Sequence, residues 1–200
     1  SSLARYGDVP EGTVDEASRL PLAGIPQHVE VCRRWEAAFR DVTAGVDRTV
    51  LLRPGIAIGG PDDPATAQLI RLTRWGLGGA VAGGRQWVSW IAADDLLAVL
   101  LRALDDDTMT GTYNVTAPNP VTNRELMAGY RRAVGRRFGL PSPAWVTRIG
   151  ARLLGSDANL ILTGRAGVPT RLVEEGFEFS VTDVDDAIRA AVAEAGIVRA

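Results

Sequence analysis

The stretch that most constrains this fold is residues 83–104, which read GGRQWVSWIAADDLLAVLLRAL. Residues 86–91 alternate bulky and polar side chains, a pattern that predicts a short strand. Asp94 and Asp95 then stand where a helix begins, because carboxylates in a first turn suit the positive end of the helix dipole. Leucine and valine follow at helical spacing and form an apolar face too wide for a surface helix. The stretch therefore predicts a strand followed by a buried helix near the centre of the fold.

The composition of the chain excludes several classes of function. The 200 residues are 46% hydrophobic and carry a formal net charge of -2, so no global field attracts nucleic acid or an anionic membrane. The apolar run at residues 96–101 is far shorter than the roughly 20 residues that a membrane-spanning helix needs. The single cysteine, Cys32, excludes an internal disulfide and is compatible with the cytoplasm, where we expect the protein to reside.

Lysine is absent from the chain, since all 22 residues counted as lysine plus arginine are arginine. Arginine stays protonated and does not act as a Schiff-base amine, so lysine-dependent mechanisms are excluded within these residues. One histidine and one cysteine cannot furnish a closed zinc site, so we expect no metal. There is also no G-x-S-x-G nucleophile elbow. Four arginines near residues 131–137 read as a solvated helix face, and we expect no nucleic-acid partner.

Two segments carry a resemblance to a known family. Residues 84–96, G-R-Q-W-V-S-W-I-x-x-D-D-L, and residues 112–126, T-Y-N-V-x-A-P-N-P-V-T-N-x-E-L, resemble the extended short-chain dehydrogenase/reductase family. The match is to its branch of epimerase-family, or nucleoside-diphosphate-sugar epimerase-like, proteins, and it covers nearly the whole chain. It implies an α/β fold: a partial Rossmann-like parallel sheet in residues 1–139, followed by a small, mainly helical domain in residues 140–200. Prolines 141 and 143 mark the predicted boundary.

The same resemblance implies an NAD or NADP cofactor, but the glycine-rich dinucleotide fingerprint does not occur in these residues. The glycines at residues 76–84 do not replace it, because their spacing and flanking segments do not fit a phosphate-binding loop. Compared with the family, the sheet lacks its first strands. We therefore expect the missing portion to come from a longer parent chain or from a partner, and a homodimer is a further possibility.

The first residues of the chain match one end of the family's active site. Ser2 stands four residues before Tyr6 and Gly7, as the serine does in the extended family. By resemblance, the Ser2 hydroxyl hydrogen-bonds the substrate carbonyl or hydroxyl beside the nicotinamide, and Leu3 lies against the cofactor. From the residues alone, the segment also fits a polar strand end followed by a turn at Gly7.

The family's Tyr-x-x-x-Lys pair is replaced in this chain. Counting back from Glu36, the family's usual acidic position, places the tyrosine at His28 and the lysine at Cys32. An imidazole accepts a proton near neutral pH, so His28 is a candidate catalytic residue, although a histidine near a helix start is also commonly a solvated or capping residue. Tyr6 is a candidate replacement only if its hydroxyl turns into the cleft.

A second side of the pocket is predicted beyond a buried strand at residues 49–52. Ligands of open α/β sheets bind outside the carboxyl ends of the strands. By resemblance, Arg53, Pro54, Gly55 and Ile56 line the nicotinamide end of the cofactor. Ile56 and Val88 stand where sugar-nucleotide enzymes often carry asparagine and arginine, which weakens the case for a sugar-nucleotide substrate.

The glycine-rich connection before the aromatic strand brings three further residues to the predicted pocket wall: Gln86, Trp87 and Trp90. The two indoles can stack on a flat ligand or can belong to the core. Helices are also predicted over residues 28–42, 65–75, 123–137, 145–154, 157–163 and 184–195, and Phe177 and Phe179 alternate as in a short strand.

These observations predict an NAD(P)-dependent oxidoreductase or epimerase-like enzyme that acts on a small carbonyl or hydroxyl substrate. Two alternatives remain open. The chain can be a non-catalytic module that binds NADP(H) or a partner, or it can be an inactive fragment. The missing Tyr-Lys pair favours the binding module over the enzyme.

Overall fold

Short parallel strands form the centre of the fold. The computed structural model describes residues 1–21, 26–60, 62–153 and 158–196. Parallel pairs join β2 to β6, β3 to β5 and β1 to β8, whereas β4 and β7 are antiparallel. This arrangement confirms the predicted α/β class with parallel strands. The strands are β1 (Thr13–Val14), β2 (Val50–Pro54), β3 (Ile56–Ile58), β4 (Trp87–Val88), β5 (Trp90–Ala92), β6 (Gly111–Val115), β7 (Val121–Thr122) and β8 (Ala166–Gly167).

Gly55 is the point at which the chain leaves one strand pair for another. Its N–H donates to the carbonyl of Val115 at 3.0 Å, whereas the N–H of Ile56 donates to the carbonyl of Ser89 at 2.8 Å. A Cβ atom at Gly55 would lie 2.5 Å from that Ser89 oxygen, so the close approach of the two backbones requires glycine.

Helices surround the strands and begin largely where the sequence predicts. The ends of α1, α2 and α8 agree with prediction to within about one residue, and so does α5 over its described part. The residue predicted to begin the helix at 157–163 lies outside the described residues. The helices are a 3₁₀ helix η1 (Leu3–Tyr6), α1 (Gln27–Val42), α2 (Pro64–Arg74), α3 (Ala93–Asp105), α4 (Asn123–Ala133), α5 (Ala144–Leu153), α6 (Asn159–Leu162), α7 (Thr170–Glu174) and α8 (Val184–Glu194).

Local caps explain two of these boundaries. Thr122 and Glu125 form a reciprocal capping box at the start of α4, as the predicted cap and first-turn acid suggest. The predicted extension of this helix to residue 137 is wrong. The chain turns at Gly135, whose φ of +71° is a left-handed conformation that favours glycine.

Among the described residues, three apolar clusters hold the helices to the strands. The first joins α2, α4 and α8 to β5 and includes Trp90, Leu126, Tyr130, Ile188 and Val192. The second joins α3 and α7 to β5 and β6 and includes Ile91, Val99, Met109, Tyr113, Val115 and Leu172. The third, smaller cluster consists of Leu3, Tyr6 and Val14. The predicted strand at Phe177 and Phe179 is wrong: the two rings make an edge-to-face contact in a loop, with their centroids 4.8 Å apart.

The strand and helix predicted at residues 86–104 form, with two differences. The strand is divided into β4 and β5, which have different partners. α3 is not buried all round: Val99 faces the core, but Leu97 is 54% exposed and Leu104 is 72% exposed. The apolar residues of α3 therefore lie on two sides of the helix, and among the described residues only the side that carries Val99 is covered by the rest of the protein. No helix in those residues is long and apolar enough to cross a membrane.

Candidate functional site

η1 lies against β2 and brings the first predicted site residues to the carboxyl end of the parallel strands. The Ser2 hydroxyl is half-buried and caps η1 by accepting a hydrogen bond from the Ala4 N–H at 3.2 Å. Leu3 is 3% exposed and packs against Gly167. Gly7 follows with a φ of +77°, so the predicted turn is present.

A buried polar network connects η1, α1 and β2. Arg53 makes a bidentate ion pair with Glu36, with Nε–Oε1 and Nη2–Oε2 distances of 2.8 and 3.0 Å. Nη1 of Arg53 also donates to the Tyr6 hydroxyl at 3.0 Å. That hydroxyl donates to the Asp15 carbonyl at 2.7 Å, and Asn114 Oδ1 lies 3.0 Å away. Ionic and neutral groups are therefore satisfied together inside the fold.

The charges of this network are fixed by its contacts. Burial by itself raises the pKa of the Glu36 carboxyl, but hydrogen bonds from Arg53 and Ser1 outweigh burial and hold that pKa below its ordinary value. Burial raises the pKa of the Tyr6 hydroxyl despite the nearby Arg53 guanidinium. Tyr6 is therefore held as a neutral phenol and Glu36 as a carboxylate.

This network changes the interpretation of two predicted site residues. The condition set for a catalytic Tyr6 is not met, because its hydroxyl is bound in the core and does not turn into a cleft. Arg53 is 4% exposed, and its guanidinium holds Glu36 rather than facing outward. Beyond it, Pro54 and Gly55 are half-buried and Ile56 is 48% exposed at the strand end. These three residues, and not the Arg53 guanidinium, present surface at this end of the sheet.

His28 and Cys32 lie in the first two turns of α1, on its buried side. His28 is 9% exposed and Cys32 is 3% exposed. Burial, with a smaller contribution from the Glu36 carboxylate, raises the pKa of the Cys32 thiol. A buried thiol with a raised pKa is a poor nucleophile, so Cys32 has the chemistry of a core residue.

The three predicted pocket-wall residues have different surroundings. The Gln86 side-chain amide donates to the carbonyls of Val81 at 3.2 Å and Ile161 at 3.1 Å. Trp87 is half-buried in β4. Trp90 is 0% exposed, and its indole N–H donates to the Asn119 carbonyl at 2.9 Å. The core role is therefore the one that the structure gives Trp90, and the predicted pocket-wall position is corrected for this residue.

A C-terminal segment, residues 164–168, completes the site region, although no sequence pattern predicted it there. The Val9 N–H donates to the Gly164 carbonyl at 2.8 Å, and the Val168 N–H donates to the Val14 carbonyl at 2.9 Å. The Ser89 hydroxyl donates to the carbonyl of Arg165 and accepts from the N–H of Gly167. The segment thus joins the η1 region to the link between β4 and β5. Its residues are separated from these partners by about 75 positions or more, so no local pattern reports the contact.

Solved structures define the class of fold. The human epimerase family protein SDR39U1 (isoform 2), crystallised with NADPH, matches 96% of this chain and 63% of its own, with 27% identity and a TM-score of 0.83. A nucleoside-diphosphate sugar epimerase from Corynebacterium glutamicum matches 98% of this chain and 36% of its own, with 26% identity and a TM-score of 0.71. The fold is therefore that of the Rossmann-like epimerases.

Sequence comparison shows which epimerase family proteins the chain resembles. Residues 142–191 match the Domain of unknown function (DUF1731). The chloroplastic SDR39U1 homolog of Arabidopsis thaliana is 35% identical over 95% of this chain and 52% of its own length. The epimerase family protein Mb2239 of Mycobacterium bovis is 31% identical over 98% and 63%, respectively. Over nearly all of its residues the chain is therefore similar to the SDR39U1-like epimerase family proteins, and its C-terminal part matches DUF1731. It spans between half and two thirds of the length of these relatives.

Proposed function

We propose that the protein is an NAD(P)-dependent oxidoreductase or epimerase-like enzyme that acts on a small carbonyl or hydroxyl compound. The observation that carries this proposal is that η1 and α1 both meet the carboxyl end of β2, where Tyr6 and Glu36 contact Arg53, the residue before the last of that strand. Ligands of open α/β sheets bind at this kind of position. The NADPH in the human SDR39U1 crystal structure supports the choice of cofactor class.

The residues at the strand end suit a flat nicotinamide ring. Pro54 and Gly55 are half-buried at this end of the strand, and Ile56 presents an exposed apolar surface. Leu3 and Pro54 complete the proposed cofactor contacts. When bound, the cofactor supplies the hydride. In this proposal the Ser2 hydroxyl orients the substrate oxygen, and His28 is the candidate that exchanges a proton.

Turnover is tested by mixing the full-length protein with NADPH and a panel of aldehydes and ketones and following NADPH consumption. We expect at least one carbonyl compound to be reduced. Ser2→Ala lowers kcat/KM by about 100-fold, as expected for the loss of a hydrogen-bond donor to a reacting oxygen. Ser180→Ala is the matched control, because Ser180 is exposed and its hydroxyl has no assigned role. Consumption no faster than background across the panel counts against catalysis.

A binding module is the second candidate function. It is favoured by His28 and Cys32 at the Tyr and Lys positions and by the raised pKa of the buried Cys32 thiol. Titration of NADPH fluorescence separates the two functions, since a module binds cofactor without turnover. The cytoplasmic location, the small-molecule partner and the homodimer or additional N-terminal portion stay predictions.

A further inference from the structure

Arg165 is anchored at the meeting point of three parts of the candidate site. It immediately precedes β8, in the C-terminal domain. Its N–H donates to the carbonyl of Trp87 at 3.3 Å, and its carbonyl accepts from the Ser89 hydroxyl at 2.8 Å. Both contacts hold the Arg165 backbone beside the link between β4 and β5, so the base of the side chain has a fixed position.

The Arg165 side chain extends from this anchor toward the turn that follows η1. Its Nε donates to the Gly7 carbonyl at 2.6 Å, and Nη2 lies 3.5 Å from the Thr163 hydroxyl. Gly7 lies beside Val29 in the first turn of α1, and the charge of Arg165 acts on the Cys32 thiol one turn later. The guanidinium therefore lies among η1, the start of α1 and β4, which carry the predicted site residues Ser2, His28 and Trp87.

The charge of Arg165 is incompletely balanced within the described residues. Burial lowers the pKa of its guanidinium, and the acidic group that opposes this effect is Asp8, which makes no ion pair with it there. Asp8 Oδ1 instead accepts a hydrogen bond from the Gly164 N–H at 2.8 Å. By contrast, Arg53 is paired with Glu36, and Arg102 is paired with Asp106.

Hydrogen-bonding capacity also remains on this guanidinium. An arginine side chain has five N–H donors, and the contacts with Gly7 and Thr163 use one on Nε and one on Nη2. In the described part of the chain, Nη1 makes no hydrogen bond and is not enclosed in the core. A planar fork with unused donors in a half-buried position suits a carboxylate or a phosphate ester.

We propose that Arg165 binds an anionic group of the substrate, so that the enzyme acts on a small carbonyl or hydroxyl compound carrying a carboxylate or a phosphate ester. The inference rests on the proposed function and specifies its substrate class. It also gives DUF1731 a direct part in recognition, since Arg165 lies within the matched residues 142–191. Substrate charge is therefore what this part of the site selects.

The test compares acidic and neutral probes on the full-length protein in the presence of NADPH. 4-Carboxybenzaldehyde is paired with benzaldehyde, and glyceraldehyde 3-phosphate is paired with glyceraldehyde. Binding is measured by calorimetry and NADPH consumption in parallel. We expect an acidic probe to bind more tightly than its neutral analogue. Arg165→Gln should raise the Kd of the acidic probe by about 10- to 100-fold, as for a lost charge-assisted hydrogen bond. The Kd values of the neutral probe and of NADPH stay unchanged.

Two further variants make the result unambiguous. Arg102→Gln removes a partly buried arginine that already has acidic partners, and we expect it to leave the Kd values of all four probes unchanged. Arg165→Lys retains the charge without the planar fork, and it gives an intermediate Kd even if Arg165→Gln does not fold. Equal binding of acidic probes by wild type and both Arg165 variants, or no binding of either acidic probe by wild type, overturns the inference. Arg165-dependent binding without NADPH consumption instead refutes turnover and leaves the anion site standing.

Discussion

Glu36 is the residue on which the inner part of the candidate site most depends. It is 1% exposed and accepts hydrogen bonds from Arg53 and from the Ser1 hydroxyl, the latter at 2.7 Å. Nε of Arg5 lies 3.6 Å from the same carboxylate. A buried carboxylate is costly unless it is paired, and removal of either charge leaves the other uncompensated. The carboxylate therefore fixes α1 to β2 through Arg53.

Glu36→Gln tests this role. The variant keeps the side-chain shape but removes the charge, so we expect the free energy of unfolding to fall by about 3–5 kcal/mol, the range for a broken buried ion pair. Chemical denaturation of the chain measures the change. Glu30→Gln is the control, because Glu30 lies on the same helix but pairs with Arg33 and Arg34 near the surface. Equal stabilities of the two variants would contradict the proposed role.

The effect of Glu36 on stability also depends on pH. The pKa of this carboxyl is lower in the folded than in the unfolded chain, so its stabilising contribution is complete above the ordinary value of 4.5. The contribution is lost as pH falls through the folded-state pKa. We therefore expect the difference in unfolding free energy between wild type and Glu36→Gln to narrow in acid. A difference that does not change between neutral pH and pH 3 would show that charge is not its cause.

The sequence identified Arg53 as a site residue but not the direction of its side chain. Glu36 served only to locate the Tyr and Lys positions of the family along α1. The distance between Glu36 and Arg53 in the sequence does not indicate that their side chains are in contact. Their pairing results from the packing of α1 against the sheet. The same packing turns the Tyr6 hydroxyl inward, which a local sequence pattern cannot report.

At the scale of the element, α3 shows that the first turn of a helix can serve two purposes. Asp94 is exposed, as expected of an acid that acts only on the helix dipole. Asp95 is 2% exposed, and its carboxylate accepts hydrogen bonds from the N–H groups of Ser180 at 2.8 Å and Val181 at 3.1 Å. It therefore ties the C-terminal segment to the central helix.

Asp95→Ala and Asp94→Ala separate these contributions. Asp95→Ala leaves the two N–H groups of residues 180 and 181 without their acceptor, and we expect a loss of about 1–3 kcal/mol in unfolding free energy. Asp94→Ala removes only the dipole interaction, about 0.3–1 kcal/mol. Thermal and urea denaturation of both variants measure the difference. A larger loss for Asp94→Ala would rule out the anchoring role of Asp95.

Periodicity predicted most of the long helices but fewer of the strand partners. α1, α2 and α8 have one clear apolar face and recognisable ends, which are local properties. The strand predicted at residues 86–91 is divided because Val88 pairs with β7, whereas Trp90 pairs with β3. Alternation does not encode which neighbour a residue will have. Likewise, the spacing of apolar residues in α3 predicted a wide apolar face, but it did not predict that only one side of that face is covered.

At the scale of the molecule, the C-terminal domain contributes to the main core. Ile188, Ala191 and Val192 of α8 are almost completely buried and belong to the same cluster as Trp90 and Tyr130. The boundary predicted at residue 140 rests on the two prolines at 141 and 143, and it lies near the start of the DUF1731 match at residue 142. The boundary in sequence therefore does not separate two independent hydrophobic cores.

Removal of residues 140–200 tests this dependence. A chain of residues 1–139 loses the apolar cover of α4 and the acceptors and donors of the segment at 164–168. We expect it to bind a hydrophobic dye strongly and to show no cooperative unfolding transition, whereas residues 1–200 show one. Circular dichroism and dye fluorescence make the comparison. A single sharp transition for residues 1–139 would establish an independent domain.

The path of residues 164–168 limits how this protein can be varied. Gly164 approaches the backbone of Trp87 so closely that a Cβ atom would collide with it, and Arg165 depends on a carbonyl at Gly7. If the C-terminal domain of a relative replaced the one in this chain, its backbone would contact a turn near residues 7–9 and a strand near residues 87–89 that belong to a different protein. Chimeras should therefore function only when the segments near residues 7–9 and 87–89 are exchanged together with it, so that these distant stretches are inherited as one unit.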